Sequence, residues 1–217
     1  MAHVVDLGRL AYRDAWRIQE ETLDARIHDR IDDTVLVVEH DPPVYTLGRK
    51  AGAAANVLDP GEAEVIEVER GGDVTWHGPG QWVAYPIVKL EGPGRDLHAW
   101  LRALEQVMID TAAAAGLAAG RDARNTGAWA NGRKIGSVGI ACRRWVTWHG
   151  LALNVAPDLS WFRRIRPCGL DAALLSSVEA ELGAVPDLGR LRATFLQRLV
   201  NLGGGTGAPA LDTPARP

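Results

Sequence analysis

Cysteine is scarce in this chain, with two in 217 residues, and net charge is low, at −3. Cys142 and Cys168 permit at most one disulfide and lack Cys-x-x-Cys spacing, so free thiols in a reducing compartment are expected. The small net charge provides no overall basic field, which argues against a nucleic-acid partner. Long apolar runs are missing too, and Met1-Ala2-His3-Val4-Val5-Asp6 does not read as a signal peptide. A cytoplasmic protein with no membrane partner is therefore expected.

What is present is ordinary for a globular chain: 47% hydrophobic and 24% charged residues, enough to bury a sizeable core. One domain is expected over residues 1–202. The Gly-Gly-Gly-Thr-Gly-Ala-Pro-Ala stretch opening 203–217 has little to bury and is expected to be a disordered tail.

Periodicity sets out the elements. Tyr12, Trp16, Leu23, Ile27 and Ile31 recur at helical spacing, which predicts a helix over about 10–31. Thr34 to Glu39 reads as a strand buried on both faces, and Val44 to Leu47 as another. Asp96 suits the N-cap of a helix carrying Leu97, Trp100, Leu104 and Met108, with Gly116 as its stop. Asn131-Gly132 is a type I′ turn signal between strands, and Val146 to Val155 makes the next strand. Asp171 is expected to cap a short helix running to Leu182, and Pro186-Asp187 to open a last one.

The most informative window is Arg70 to Tyr85, R-G-G-D-V-T-W-H-G-P-G-Q-W-V-A-Y. Its glycines and Pro79 predict a tight loop between strands at Val65–Val68 and Val83–Val88, presenting Arg70, Thr75, His77 and Gln81 near a sheet edge. Further on, strand alternation puts Lys134 on one face with Gly136, and Gly150 with Ala152. Those missing side chains leave room for an alkyl chain, although a bulge or close backbone packing accounts for glycine in a strand equally well.

These strings closely resemble the lipoyl/octanoyl transferase family. Arg-Gly-Gly through His-Gly-Pro-Gly-Gln matches its signature, as do Lys134-Ile-Gly-Ser-Val-Gly139, His149-Gly-Leu-Ala-Leu-Asn154 and Arg166-Pro-Cys-Gly-Leu170. The resemblance implies an α/β (α+β) fold, a mixed β-sheet with helices packed mostly on one side, like the catalytic domain of biotin and lipoate ligases. It implies an acyltransferase that moves an octanoyl or lipoyl group from octanoyl-acyl carrier protein to a lysine of lipoyl domains. The acceptors would be 2-oxoacid dehydrogenases and the glycine cleavage H protein, and no cofactor is expected.

By the same resemblance Cys168 carries the acyl group and Lys134 activates it. Substrate contacts would fall on Arg70, Gly71, Gly72, Asp73, Val74, Thr75, Trp76 and His77, then on Ser137, Val138, Gly139, Gly150, Leu151 and Ala152. Trp76 stands where the family often has Tyr. A free thiol has a pKa of about 8.5, so Cys168 needs help to ionise. The predicted Asp171 helix and Lys134 are the two devices available, while His77 and His149 read as either catalytic or structural. Cys142 reads as an inert core thiol.

Three alternatives stay open. An ATP-dependent lipoate or biotin ligase would share the fold. A zinc module would use His77, His149, Cys142 and Cys168, with no metal expected in the main reading. A lipoyl-domain binder would lack catalysis altogether.

Overall fold

Alternation along the second strand decides the architecture. Val35 and Val37 enter one apolar cluster while Leu36 and Val38 enter another, so this strand is covered on both faces. The computed structural model describes residues 1–166 and 171–202. The Pro167-Cys168-Gly169-Leu170 motif and the expected 203–217 tail lie outside the described residues.

In chain order the strands are β1 (His3–Leu10), β2 (Thr34–His40), β3 (Val44–Leu47), β4 (Glu64–Glu67), β5 (Val74–His77), β6 (Gln81–Ile87), β7 (Gly120–Asp122), β8 (Asn125–Ala130), β9 (Arg133–Arg143) and β10 (Val146–Asn154). The helices are α1 (Tyr12–Ile27), α2 (Leu97–Ala114), α3 (Val178–Leu182) and α4 (Leu188–Val200). Among the described residues the strands form a seven-stranded sheet, β1-β2-β6-β10-β9-β8-β7, and a three-stranded one, β4-β3-β5. β1 runs parallel to β2 and β3 parallel to β4, and the other pairs are antiparallel. The expected mixed α/β fold is what the chain adopts.

Leu104, Met108, Leu191, Phe195 and Leu199 of α2 and α4 pack with Val35, Ala84, Leu151 and Leu153 on one face of the large sheet. Ala15 and Leu23 of α1 meet Leu36, Val83, Tyr85 and Trp148 on the other. Trp100 and Met108 are core residues, and the Asp96 carboxylate accepts from the His98 and Ala99 N–H groups at 2.8 and 3.0 Å, as an N-cap should. Asn131 and Gly132 take the positive φ of the predicted turn, 49° and 75°.

Three expectations need correction. The Gly-rich window is not one loop: Val74–His77 within it is strand β5, with Tyr45 opposite Trp76 and Thr46 opposite Thr75. The first residues, read only for a signal peptide, form edge strand β1. The helix expected from Asp171 to Leu182 is split into one 3₁₀ turn, Ala172–Leu174, and α3, which is capped separately by Ser177. Between them Leu175 bridges Lys134 and the Ser176 N–H donates to the Lys134 carbonyl at 2.9 Å, which requires extended backbone.

Candidate active site

The Gly71 N–H donates to the Ile140 carbonyl at 2.8 Å, which seats the Gly-rich stretch on β9. Gly139 makes the approach possible, because a Cβ there would stand 3.0 Å from Arg70 Cδ and 3.1 Å from the Gly71 carbonyl oxygen. An open cleft lies along this junction.

Its walls hold Arg70, Gly71, Gly72, Asp73, Val74, Thr75, His77, Lys134, Ser137, Val138, Gly139, Gly150, Leu151 and Ala152. Of the described residues predicted from sequence, the structure brings together all but Trp76. The Trp76 ring instead stacks on Trp161 at 6.1 Å and meets Phe162 edge-on at 5.4 Å. Alternation along β5 turns it away from the side that Thr75 and His77 occupy. Cys168 lies outside the described residues. Tyr12, Tyr85, Asn125 and Leu175 also line the cleft and were not singled out, since the signal that places them there is tertiary.

Lys134 is buried, 5% exposed, and its Nζ donates to Asn125 Oδ1. Its stem passes over Gly127, where a Cβ would stand 2.7 Å from Lys134 Cε and 2.1 Å from the Gly136 carbonyl oxygen. At φ 143° this position favours glycine on conformational grounds as well. The Gly127 N–H is held at 2.8 Å by Glu105, a fully buried carboxylate that also pairs with Arg102 and Arg121 at 2.8 and 2.9 Å.

A register shift in the β8–β9 ladder corrects one expectation: Lys134 and Gly136 do not share a face. Ile135 and Gly136 both meet the helical layer, where a Cβ on Gly136 would lie 2.5 Å from Met108 Sδ. Gly150 and Ala152 do both line the cleft. Gly150 also admits the Ala84 carbonyl, 2.3 Å from where its Cβ would be, so the space and the close packing are both real.

Two hydrogen-bond chains radiate from the Gly-rich stretch. In the first, Arg70 Nη2 donates to the Thr46 carbonyl and hydroxyl, both at 2.8 Å. Thr46 Oγ1 lies 3.5 Å from His77 Nε2, and His77 Nδ1 is 2.7 Å from Gln81 Oε1. Gln81 Nε2 already donates to the Trp76 carbonyl and to Asn154 Oδ1, so its oxygen faces the ring and Nδ1 is the protonated nitrogen. Asn154 then donates to the Ser176 carbonyl at 2.9 Å, and Ser176 N–H reaches Lys134. In the second chain Asp73 accepts from Lys50 Nζ, Asn56 Nδ2 and the Val74 N–H, and the Asn56 carbonyl accepts from the Arg166 N–H at 2.8 Å. Arg166 and Ser176 are thereby both tied to the Gly-rich stretch.

Burial pushes His77 well below its ordinary value, aided by repulsion from His40, and it pushes His40 down to about 4. His149 is lowered by burial as well, partly offset by Glu69, whose Oε2 lies 3.6 Å from Nε2. All three rings are neutral at pH 7, and His77, engaged at both nitrogens, reads as a structural relay. Burial alone would raise Asp73, but its bonds to Lys50, Asn56 and Val74 outweigh that and hold it below the usual range.

Among the described residues no three His, Cys, Asp or Glu side chains group to hold a metal ion. Cys142 is exposed rather than in the core, in a separate depression with Glu20, Arg49 and Trp148, and partial burial pushes its thiol up.

Fold and cleft together define an α/β catalytic domain that offers a buried amine on the wall of a part-apolar binding slot. Comparison with known proteins then narrows the class. The chain belongs to the lipoyl protein ligase A/B catalytic domain family, whose model matches residues 11–200. An octanoyltransferase of Geobacter metallireducens is 48% identical over 193 residues, covering 89% of this chain and 89% of the relative. One of Gloeobacter violaceus is 48% identical over 176 residues, 81% of this chain and 79% of the relative. Among solved structures, a lipoate protein ligase from T. acidophilum with bound lipoic acid has a TM-score of 0.69 at 13% identity, covering 93% of this chain and 85% of that one. Lipoate-protein ligase A bound with ATP has 0.68 at 13% identity, covering 93% and 85%. At such identity these two establish the shared fold.

Proposed function

We propose that this chain is an octanoyltransferase that carries the acyl group on Cys168 and uses Lys134 as its proton carrier. The observation that supports this best is the buried Lys134 amine on the cleft wall, with flanks of the cysteine segment secured nearby. Cys168 follows anchored Arg166 by two residues and precedes Leu175, the bridge partner of Lys134, by seven.

The reaction is two acyl transfers. The Cys168 thiol gives its proton to Lys134, and the thiolate attacks the octanoyl thioester of acyl carrier protein. The carrier's thiolate leaves and takes the proton from Lys134. An acceptor lysine on a lipoyl domain then attacks octanoyl-Cys168, gives its proton to Lys134, and the cysteine thiolate is released. Thioester exchange is nearly isoenergetic and amide formation is downhill, so no nucleotide is needed. The acceptors proposed are lipoyl domains of 2-oxoacid dehydrogenases and the glycine cleavage H protein, with 1–202 as the working domain.

Ionising the thiol one unit more readily takes about 1.4 kcal/mol, which a nearby ammonium can supply. A helix dipole is not available for this: the Asp171 segment is one 3₁₀ turn, and its Ala173 N–H already donates to Asp171 at 2.9 Å. The test is transfer from octanoyl carrier protein to a lipoyl domain without ATP. Wild type should turn over and Lys134→Met should fall by about 10²-fold or more. A strict ATP requirement with AMP release would establish the ligase reading in its place.

A further inference from the structure

We propose that Asn125 is a positioning residue that holds the Lys134 amine in the cleft through a neutral acceptor, aiming the base without fixing a proton on it. This rests on Lys134 serving as the proton carrier described above. Asn125 lines the same cleft as Lys134, and its Oδ1 accepts from Nζ. Asn125 is itself held, because the Trp129 indole N–H donates to its carbonyl at 2.9 Å and it pairs with Asp122 across the β7–β8 hairpin.

The chemistry of the acceptor matters because a general base must shed its proton between steps. An amide oxygen orients an amine in either protonation state. A carboxylate in the same place would favour the ammonium, typically raising an amine's pKa by about one unit or more. The charged groups already near, among the described residues, each have bonding partners of their own. Asp122 is paired with Arg124 at 2.7 Å, and Glu105, beneath Gly127, with Arg102 and Arg121. On the cleft wall Asp73 is bonded to Lys50 and Asn56, and Arg70 to Thr46. His77 and His149 are neutral at pH 7, and Tyr12 and Tyr85 are raised by burial. A single Asn125→Asp change therefore puts a carboxylate in place of the neutral acceptor at the amine.

The test compares pH–rate profiles of ATP-free transfer for wild type, Asn125→Asp and Asn125→Ala, with a thermal melt of each. Asn125→Asp should move the acidic limb of kcat/KM up by about one unit, lowering the rate about tenfold below it. Asn125→Ala should lower kcat about tenfold with KM for the carrier substrate unchanged. A limb in Asn125→Asp that coincides with wild type overturns the proposal, as does wild-type kcat in Asn125→Ala. Should Asn125→Asp fail to fold, the kcat-against-KM split of Asn125→Ala decides alone. Turnover retained by Lys134→Met would instead sink the proton-carrier reading and this inference with it, whereas a dead Lys134→Met beside an unshifted Asn125→Asp sinks only the inference.

Discussion

His40 packs against the cleft-lining Tyr12 and His77, with Nδ1 toward the Leu10 carbonyl at 3.2 Å and Nε2 toward the Tyr85 hydroxyl at 2.6 Å. The carbonyl can only accept, so Nδ1–H donates to it, and with the ring kept neutral by burial the tyrosine O–H donates to Nε2. With a folded pKa of about 4 against about 6.5 unfolded, the unfolded chain binds a proton that the fold excludes. Stability is therefore full above pH 6.5 and declines as pH falls toward 4, with His40 alone accounting for about 3 kcal/mol across that window. Urea titrations at stepped pH should show this decline, and His40→Asn should flatten it while lowering stability at pH 7. An unchanged slope would contradict the assignment. Such roles were hidden in the sequence: His77 stood out as a site residue, but only coordinates place its two nitrogens between Thr46 and Gln81. Trp76 was legible as an aromatic of the motif and not as one that turns away from the cleft.

Elements with strong local signals were legible from end to end. Val44–Leu47, the Asp96-capped helix and the Asn131-Gly132 turn needed no tertiary information. β5 was hidden because its glycine-rich flanks read as loop while pairing with β3 overrides them. The Asp171 helix was misread because Leu175 is drawn into a bridge with Lys134. The Ala-rich turn Ala53–Asn56 gave no signal, yet Asn56 supports the buried Asp73 carboxylate from one side and accepts from Arg166 on the other. Asn56→Ala should cost about 1–3 kcal/mol by leaving Asp73 short of donors, and should slow acyl transfer along with it. Thermal melting and the ATP-free assay read the two effects, and wild-type values for both would refute the link.

At the scale of the whole molecule, strand order does what chain order cannot. The β1-β2-β6-β10-β9-β8-β7 arrangement lays β9 beside β10 and lets the Gly-rich stretch dock on β9, so that Arg70, Lys134 and Gly150 come to one cleft. Periodicity carries no information on that order. It became readable only because four strings resembled one family at once, and the cleft then gathered, among the described residues, all but Trp76 of the substrate contacts and the lysine expected from them. The central claim is that the octanoyl group rides on Cys168. Intact mass of wild type and Cys168→Ser after mixing with octanoyl carrier protein, without an acceptor, tests it most directly. Wild type should gain one octanoyl group, removable by hydroxylamine, and Cys168→Ser none. An equal adduct on Cys168→Ser, formed at the wild-type rate, would contradict the account.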